Sequence, residues 1–479
     1  MTLTNTNDAT APPPATTLVT RIVAAVFFLQ FLDSTIITTS LPAMARDFGV
    51  NAVAMSIGLT AYLLAMAIFI PLAGWLGDRY GARRVLIVSV AAFSIASLLC
   101  GMSANLPEFI AARILQGAAA ALMAPVGRLL VLRHAPKNRL MDAISTLIWP
   151  ALFAPIIGPV LGAWITQTVG WHWNFFLNIP IGVGCVVLLV LLVPNQDTVM
   201  RRRFDGVGFV LSGMGLLLLL GGMELFVGQH GPLLALGLIG SGCALCGLAW
   251  RHMRRTTDPL LDLEVLSVPT FRLAAMTVGT LGRIAINATP FLLPLMFQLG
   301  FGMTAVQSGG LILVYFAGNL AMKTLTTPVM RRFGFRRVLL WNGLLSAISV
   351  AAFASVSIAT PTPILWALLF FAGLTRSLQF TALNTLAFAD ISVAQRSTST
   401  TLSAMTQQVS QLMAVALSVA LIRAAQMLRG AAGSEAVAGD LTAAFAGIAM
   451  LGLISALAFL RLAETAGQDV SGHVDADAP

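Results

Sequence analysis

Two residues stand out because their surroundings should not tolerate them. Asp33 sits in Phe27-Phe-Leu-Gln-Phe-Leu-Asp33-Ser-Thr-Ile-Ile37 and Arg113 in Ile110-Ala-Ala-Arg113-Ile-Leu-Gln116, each flanked by apolar side chains. An ionisable group at mid-helix in hydrocarbon costs about 2.5–3.5 kcal/mol on insertion scales and is retained for function by default. Its first need is a partner of opposite charge. Asp33 lies about six residues, and Arg113 about five, from the same end of their segments, which at about 1.5 Å per residue sets them at one depth. Burial favours a neutral carboxyl and a nearby guanidinium favours the charged one. An aspartate held between these influences can gain or lose a proton as its surroundings open and close.

Further along, Arg283 and Arg376 fall near the middle of apolar segments with no carboxylate at matching depth in that half of the chain. Two buried cations on a shared cavity would attract an anionic group. Bonding to helix carbonyls, or to Gln298, Gln379 or Asn384, would satisfy them equally well. Arg283, Arg376, Gln379, Asn384 and Gln116 are therefore the candidates for lining a substrate cavity. Lys323, Arg128 and Arg423 read as helix-end residues that snorkel to the interface. Glu224 reads as structural, and Gln407, Gln408 and Gln411 as interhelical contacts. Pro42, Pro155, Pro159, Pro290 and Pro294 supply kinks that could serve as hinges.

Other chemistries lack their residues. The histidines His134, His172, His230, His252 and His473 all lie in connectors or tails, so no catalytic pair or metal set is expected and the chain is not read as an enzyme. Cys100, Cys185, Cys243 and Cys246 lie in apolar stretches and read as packing residues, Cys243 and Cys246 included despite their C-x-x-C spacing. No G-x-x-x-x-G-K-[ST] loop is present, so neither ATP nor any other cofactor is expected.

The elements that must position these residues follow from composition. Hydrophobic residues make up 57% of the chain and charged residues 10%, against roughly 25% charged in soluble chains. Lipid must be the solvent for most of it. Runs of about 20 apolar residues, enough to span hydrocarbon, occur fourteen times. They lie near 19–40, 56–76, 85–103, 108–132, 141–165, 174–193, 206–226, 232–250, 272–298, 306–327, 338–357, 363–388, 402–424 and 442–461. Alternate connectors collect the positive charge: Arg79, Arg83 and Arg84, then Arg133, Lys137 and Arg139, then Arg201 to Arg203, then Arg251, Arg254 and Arg255, then Arg331, Arg332, Arg336 and Arg337. The positive-inside rule makes that side cytoplasmic, with both termini there. The net charge of +9 is thus topogenic, and nucleic acid is not an expected partner. No cleavable leader is expected before the first run, since the first residues are Thr-, Asn- and Pro-rich.

The chain also repeats itself. Arg79-Tyr-Gly-Ala-Arg-Arg-Val-Leu86 recurs as Arg332-Phe-Gly-Phe-Arg-Arg-Val-Leu339, and Arg113-Ile-Leu-Gln116 as Arg376-Ser-Leu-Gln379. Both pairs relate a segment to the one eight places later. The organisation expected is a tail (1–18), a six-helix bundle (19–193), two inserted helices with linkers (194–271), a second six-helix bundle (272–461) and a C-terminal tail (462–479). Internal repeats of this kind are typical of secondary transporters, with the substrate site between the repeats. In the first loop, Gly74, Asp78, Arg79, Gly81, Arg83 and Arg84 could form a conformational latch. Glycine permits close approach, and Asp78 can accept from a helix N-terminus or an arginine.

Gly74-Trp-Leu-Gly-Asp78-Arg79-Tyr-Gly81-Ala-Arg83-Arg84 resembles the signature loop of the major facilitator superfamily. Leu32-Asp33-Ser-Thr-Ile-Ile37 with Leu41-Pro42 resembles the first-helix motif of its fourteen-helix drug/proton antiporters. Arg113-Ile-Leu-Gln116-Gly117 resembles their fourth-helix arginine motif. Pro155-Ile-Ile-Gly158-Pro159-Val-Leu-Gly162 resembles the fifth-helix antiporter motif, and Trp171-His-Trp173-Asn-Phe175-Phe-Leu-Asn178-Ile-Pro180-Ile-Gly182 the approach to the sixth helix. Phe204-Asp205-Gly206 resembles the start of the inserted pair. Ala154 and Ala163 stand where the family often has glycine, Ser56 near a usual tryptophan, and the second loop copy lacks a match for Asp78.

The resemblance implies an all-α, multi-pass protein of the cytoplasmic (inner) membrane, a proton-coupled antiporter exporting small organic compounds that are drug-like or partly anionic. Asp33 is then the proton or substrate site, Arg113 its regulator, and Pro155, Gly158, Pro159 and Gly162 the antiporter motif. Small molecules, protons and lipid are the expected partners, and a monomer the expected state. A proton-coupled symporter importing a small metabolite is the alternative on the same fold.

Overall fold

Only helices can cross hydrocarbon as single segments with every backbone group satisfied. In the computed structural model, which describes residues 14–134, 140–194, 203–226, 232–261, 263–392, 395–431, 434–464 and 466–467, the regular structure is helical, with no strand among the described residues. The longer helices are α1 (Pro14–Ile36), α2 (Ile57–Phe69), α3 (Leu72–Tyr80), α4 (Ala82–Met102), α5 (Leu106–His134), α6 (Leu140–Thr168) and α7 (Asn178–Leu192). After them come α8 (Gly206–Phe226), α9 (Pro232–Met253), α10 (Val278–Leu295), α11 (Ala305–Phe353), α12 (Thr362–Ala389), α13 (Arg396–Leu428) and α14 (Ala438–Ala458). Eleven stretches among the described residues are long and apolar enough to cross a membrane, the long α11 counting once. Their outer faces leave large apolar groups open, Leu233 at 85% and Ile348 at 63% exposure, as lipid contact requires. Lys137, Arg139, Arg201, Arg202 and His473 lie outside the described residues, as do the side chains of Arg133 and Glu224.

All fourteen expected segments fall on helix, but the tenth and eleventh are continuous in α11, broken only at Gly334. Gly334 has φ +69° and Gly81 has φ +88°, a left-handed backbone that only glycine adopts without strain. These are the two glycines of the repeated loop. Its arginines repeat their bonds as well. Arg83 donates to the carbonyls of Leu189 (3.2 Å) and Val190 (2.7 Å) at the end of α7. Arg336 donates to the Leu460 carbonyl (3.2 Å) just past α14, and pairs with Glu464. Cations thus meet the negative end of a helix dipole at equivalent places in both halves.

Packing sorts the helices into two sets. α1 packs on α5, α6 and α7, and α5 on α2 and α4; α11 packs on α12 and α14, and α10 on α13 and α14. The sets meet where α6 packs on α11 and α2 on α13. At the end away from the repeated loops, Gln298 Nε2 donates to the Thr39 carbonyl (3.0 Å), and a Cβ on Gly309 would come 3.0 Å from the Pro159 carbonyl.

α8 and α9 pair closely, and α8 also touches α2 and α13, one helix from each set. Glycine allows the pairing, since a Cβ on Gly242 would lie 2.5 Å from the Leu219 nitrogen. Asp205 ties the base of this hairpin together. It caps α8 through the Gly208 N–H (2.8 Å), meets His252 of α9 (2.8 Å) and accepts from the Leu260 N–H (3.1 Å). Burial pushes the Asp205 carboxyl up, but these donors outweigh it and hold the group below its ordinary value. A carboxyl so depressed stabilises the fold above its unfolded-state value and stops doing so as pH falls through the folded one. Asp205→Asn should therefore lower the thermal unfolding midpoint of the purified protein at pH 7. The gap from wild type should close as pH drops below about 4, and a gap that widens in acid would contradict this account.

Candidate functional site

Asp33 lies one turn before the end of α1, on a stretch whose hydroxyls turn back on their own helix. Ser34 and Thr35 each donate to the Phe31 carbonyl at 2.9 Å, so neither competes for the carboxylate. α6 closes against this turn through its glycines. A Cβ on Gly158 would lie 2.2 Å from Thr35 Oγ1, and one on Gly162 2.4 Å from the Ile36 carbonyl. Thr35 and Thr39 donate to the carbonyls of Ala154 (3.3 Å) and Pro159 (3.2 Å), which fixes the register of the two helices. Pro155 is half-buried on the same helix, Pro159 is buried, and the departures Ala154 and Ala163 are fully buried.

The two charges picked out by sequence meet. Arg113 Nη1 lies 3.0 Å from Asp33 Oδ2, with neither side chain exposed. The same nitrogen donates to Gln116 Oε1 (2.6 Å), and Gln116 Nε2 returns a bond to Asp33 Oδ1 (2.9 Å). Asn178, at the start of α7, donates to Asp33 Oδ1 (2.7 Å) and to Ser97 Oγ on α4 (2.9 Å). The guanidinium stacks 4.2 Å from the Tyr62 ring centroid, and its Nε approaches the Gly58 carbonyl at 3.5 Å. Five helices, α1, α2, α4, α5 and α7, thus converge on one carboxylate. Three buried atoms at this centre have no hydrogen-bond partner: Tyr62 Oη, Arg113 Nη2 and Asn178 Oδ1. Buried polar atoms are normally paired, and a cluster of exceptions marks a place where a second arrangement is within reach.

Asn178 and Tyr62 were not singled out by sequence. Asn178 stands inside the quoted sixth-helix motif, whose other polar members act likewise. Trp171 Nε1 donates to Asp47 (2.6 Å), and Asn174 Nδ2 to Ser40 (2.8 Å) and Thr166 (2.9 Å). The spacing of these polar residues on an otherwise apolar helix was the available signal.

The residues proposed for a substrate cavity separate. Gln116 belongs to the Asp33 network. Gln379 is buried within the second set of helices, accepting from Asn342 (2.9 Å) and donating to the Leu339 carbonyl (3.3 Å). Each amide joins neighbouring helices, and Gln379 also lines a narrow cavity with Gly282, Ile286 and Ser455. Arg283 is fully buried and donates to the carbonyls of Ala274 (2.7 Å) and Ala275 (3.4 Å) and to Asn384 Oδ1 (3.0 Å). Those carbonyls belong to a π-helical turn, Arg272–Met276, that breaks just before α10. Asn384 also accepts from Gln407 (3.3 Å). Arg376 is half-buried, its Nε on the Ile286 carbonyl (3.3 Å) and its guanidinium 5.7 Å from the Phe316 ring. Lys323 differs from expectation: its ammonium donates to Thr381 Oγ1 on α12 (2.9 Å) instead of snorkelling. The helix runs on past Pro328 to Gly334, so Lys323 lies about 15 Å from that end at about 1.5 Å per residue.

In the repeated loop, Gly81 supplies the turn and Arg83 the bonds to α7. Arg79 lies 5.9 Å from the Trp75 ring, Arg84 is exposed, and Asp78 is half-buried. Gly77 approaches Leu129 of α5 (2.9 Å to a built Cβ), whereas Gly74 faces open space and mediates no close contact.

A model of the Major Facilitator Superfamily matches residues 23–415 of the chain. The chain belongs to the major facilitator superfamily. It is 34% identical over 442 residues to the multidrug resistance protein MdtD named in Serratia proteamaculans, covering 92% of each chain. To the MdtD named in Escherichia coli O6:H1 it is 33% identical over 420 residues, covering 88% of this chain and 87% of that one. Among solved structures, the POT family transporter PepTSo superposes with a TM-score of 0.69 at 13% identity, over 94% of this chain and 97% of the other. The xylose transporter XylE from E. coli gives 0.63 at 13% identity, over 95% and 98%. These likenesses carry the major facilitator fold.

Removing one member of a buried ion pair costs about 3–5 kcal/mol, because the other charge is stranded, whereas replacing both by apolar groups is often neutral. Arg113→Met and Asp33→Leu should each lower the unfolding midpoint of the detergent-purified protein sharply, and the double variant should recover most of the loss. A double variant as unstable as the sum of the two would show that the pair is not isolated from other charges.

Proposed function

We propose that this member of the major facilitator superfamily is a proton-coupled exporter of small organic compounds in the cytoplasmic membrane. In this reading fourteen helices cross the bilayer, as two bundles of six (19–193 and 272–461) and an inserted pair, with both termini cytoplasmic and the chain working as a monomer. The relatives named for multidrug resistance support export of drug-like substrates. The observation that carries proton coupling is Asp33, a carboxylate with no exposed side-chain surface that accepts from Arg113, Gln116 and Asn178.

As a carboxylate Asp33 needs donors, and all three neighbours present donors to it. A proton on Asp33 reverses that demand. The acid must donate, its bond to Arg113 weakens, and an unpartnered acceptor, Oδ1 of Asn178, belongs to an amide already bonded to Asp33. A half-turn of the Asn178 amide would bring that oxygen to the acid and turn its NH₂ away from Ser97. Protonation thus frees Arg113, on α5, and changes the grip of α7 on α1. Because α1 is clamped to α6 at Gly158 and Gly162, a shift of α1 carries α6 and its contact with α11. A proton would then bias the packing of one bundle against the other, which is what alternating access needs. The segment containing Gly74, Asp78, Arg79, Gly81, Arg83 and Arg84 acts at the opposite end as the latch.

Proteoliposomes with an imposed pH gradient test this, using a panel of cationic, neutral and anionic fluorescent compounds. Wild type should move at least one compound uphill while protons run down. Asp33→Asn should still exchange that compound down its own gradient but lose uphill movement. Uphill transport by Asp33→Asn at the wild-type rate would remove the aspartate from coupling.

A further inference from the structure

The second bundle holds charges that this mechanism does not use. Lys323 lies two turns beyond Phe316 on the same face of α11, and Arg376 of α12 stands against the Phe316 ring, so both cations serve one side of α11; among the described residues neither has a carboxylate partner. Lys323 spends one of its three donors on Thr381, and Arg376 spends only Nε, on the Ile286 carbonyl. The terminal nitrogens of Arg376 have no protein acceptor among the described residues, though the arginine stands at the middle of the 28-residue α12. Counting from the repeated loops, Ile286 takes the register that Asp33 holds in the first half. Where the first bundle supplies a carboxylate for its arginine, the second supplies a backbone carbonyl and a second cation.

Uncompensated charges in a membrane are expensive unless they face water or a counterion. Both side chains keep part of their surface open, whereas Arg283, whose terminal nitrogens bond to kink carbonyls and Asn384, is sealed. A guanidinium and an ammonium together fit an oxyanion: Arg offers a planar fork and Lys a point charge. The ring of Phe316 beside Arg376 provides an apolar wall for the carbon part of a ligand. We propose that Lys323 and Arg376 bind the carboxylate or sulfonate of an aromatic organic anion, which is the substrate class of the transporter proposed above. The inference rests on that reading for the fate of the ligand, but the site itself is a binding claim.

Binding is therefore measured without a proton gradient, on the purified full chain in detergent and low-salt zwitterionic buffer, by the rise in unfolding midpoint with ligand. Benzoate and benzenesulfonate should stabilise wild type, and benzamide, the uncharged analogue, should not. Lys323→Gln and Arg376→Gln should each weaken the apparent affinity for benzoate at least tenfold. Lys323→Arg and Arg376→Lys should keep part of it, and Arg254→Gln, on an exposed linker, should match wild type. Lys323→Met should leave the ligand-free midpoint unchanged or higher, since it removes an uncompensated charge; a purely structural lysine would instead lower it. Equal stabilisation by benzamide, benzoate binding undiminished in both glutamine variants, or an equal shift from sodium chloride alone would each overturn the proposal. Because no transport is read, a failed coupling role for Asp33 and a failed anion site give different results.

Discussion

A carboxylate and a guanidinium, both without exposed surface and 3.0 Å apart, constrain the first half of this molecule more than any other contact. Neither charge could stay in an apolar bundle alone, so every helix that supplies a ligand to the pair is fixed relative to the others. α1 and α5 bring the charges, Gln116 binds both, and Asn178 ties the carboxylate to α7 and through Ser97 to α4. Tyr62 of α2 covers the guanidinium. The glycines at 158 and 162 then decide how closely α6 can follow α1. A network this dense would be inert if every atom were paired. It is not: Tyr62 Oη, Arg113 Nη2 and Asn178 Oδ1 are buried there without partners.

The second half keeps the scaffold of the first but not its chemistry. Gly81 and Gly334 share a left-handed backbone, and Arg83 and Arg336 reach the carbonyls at the ends of α7 and α14. Tyr62 and Tyr315 occupy one register relative to these loops, and both are buried beside an arginine, Arg113 and Arg376 respectively. The carboxylate is what has gone. The two halves thus share a backbone plan while presenting different charges to their arginines.

Much of this was legible because hydrocarbon imposes simple rules. Length and apolarity located the helices, the repeated Arg-x-Gly-x-Arg-Arg loop revealed the pairing of halves, and isolated charges marked Asp33 and Arg113 as partners. The failures also have physical causes. Lys323 was set at a helix end because apolarity declines after it, yet backbone hydrogen bonding carries the helix on to Gly334. Hydropathy reports where lipid is preferred, not where a helix stops. The amides of Gln116 and Gln379 join neighbouring helices, a use that helical spacing does not specify because an amide in a helix can face any of several neighbours. Asn178 was visible as part of a motif. Its meeting with Asp33, 145 residues earlier in the chain, depends on the crossing of α1 and α7.

The position of the inserted hairpin bears on how the halves can move. α8 touches α2 and α13, the two helices that join the sets on one flank, while α6 and α11 join them on the other. A membrane transporter whose bundles rock must open and close both seams, yet only one is covered by an additional pair of helices. The hairpin is held to the linkers by Asp205 and to the first set by aromatic contacts, Phe209 on Phe69 and Phe204 on Trp75. Trp75 lies on α3, one turn before Asp78 and Arg79. A change at the latch would therefore reach α8 directly, and α8 would feel any separation of α2 from α13. The hairpin also reaches the second set at its base, where Ala249 and Met253 of α9 join the hydrophobic cluster of Phe271, Ala274 and Leu386.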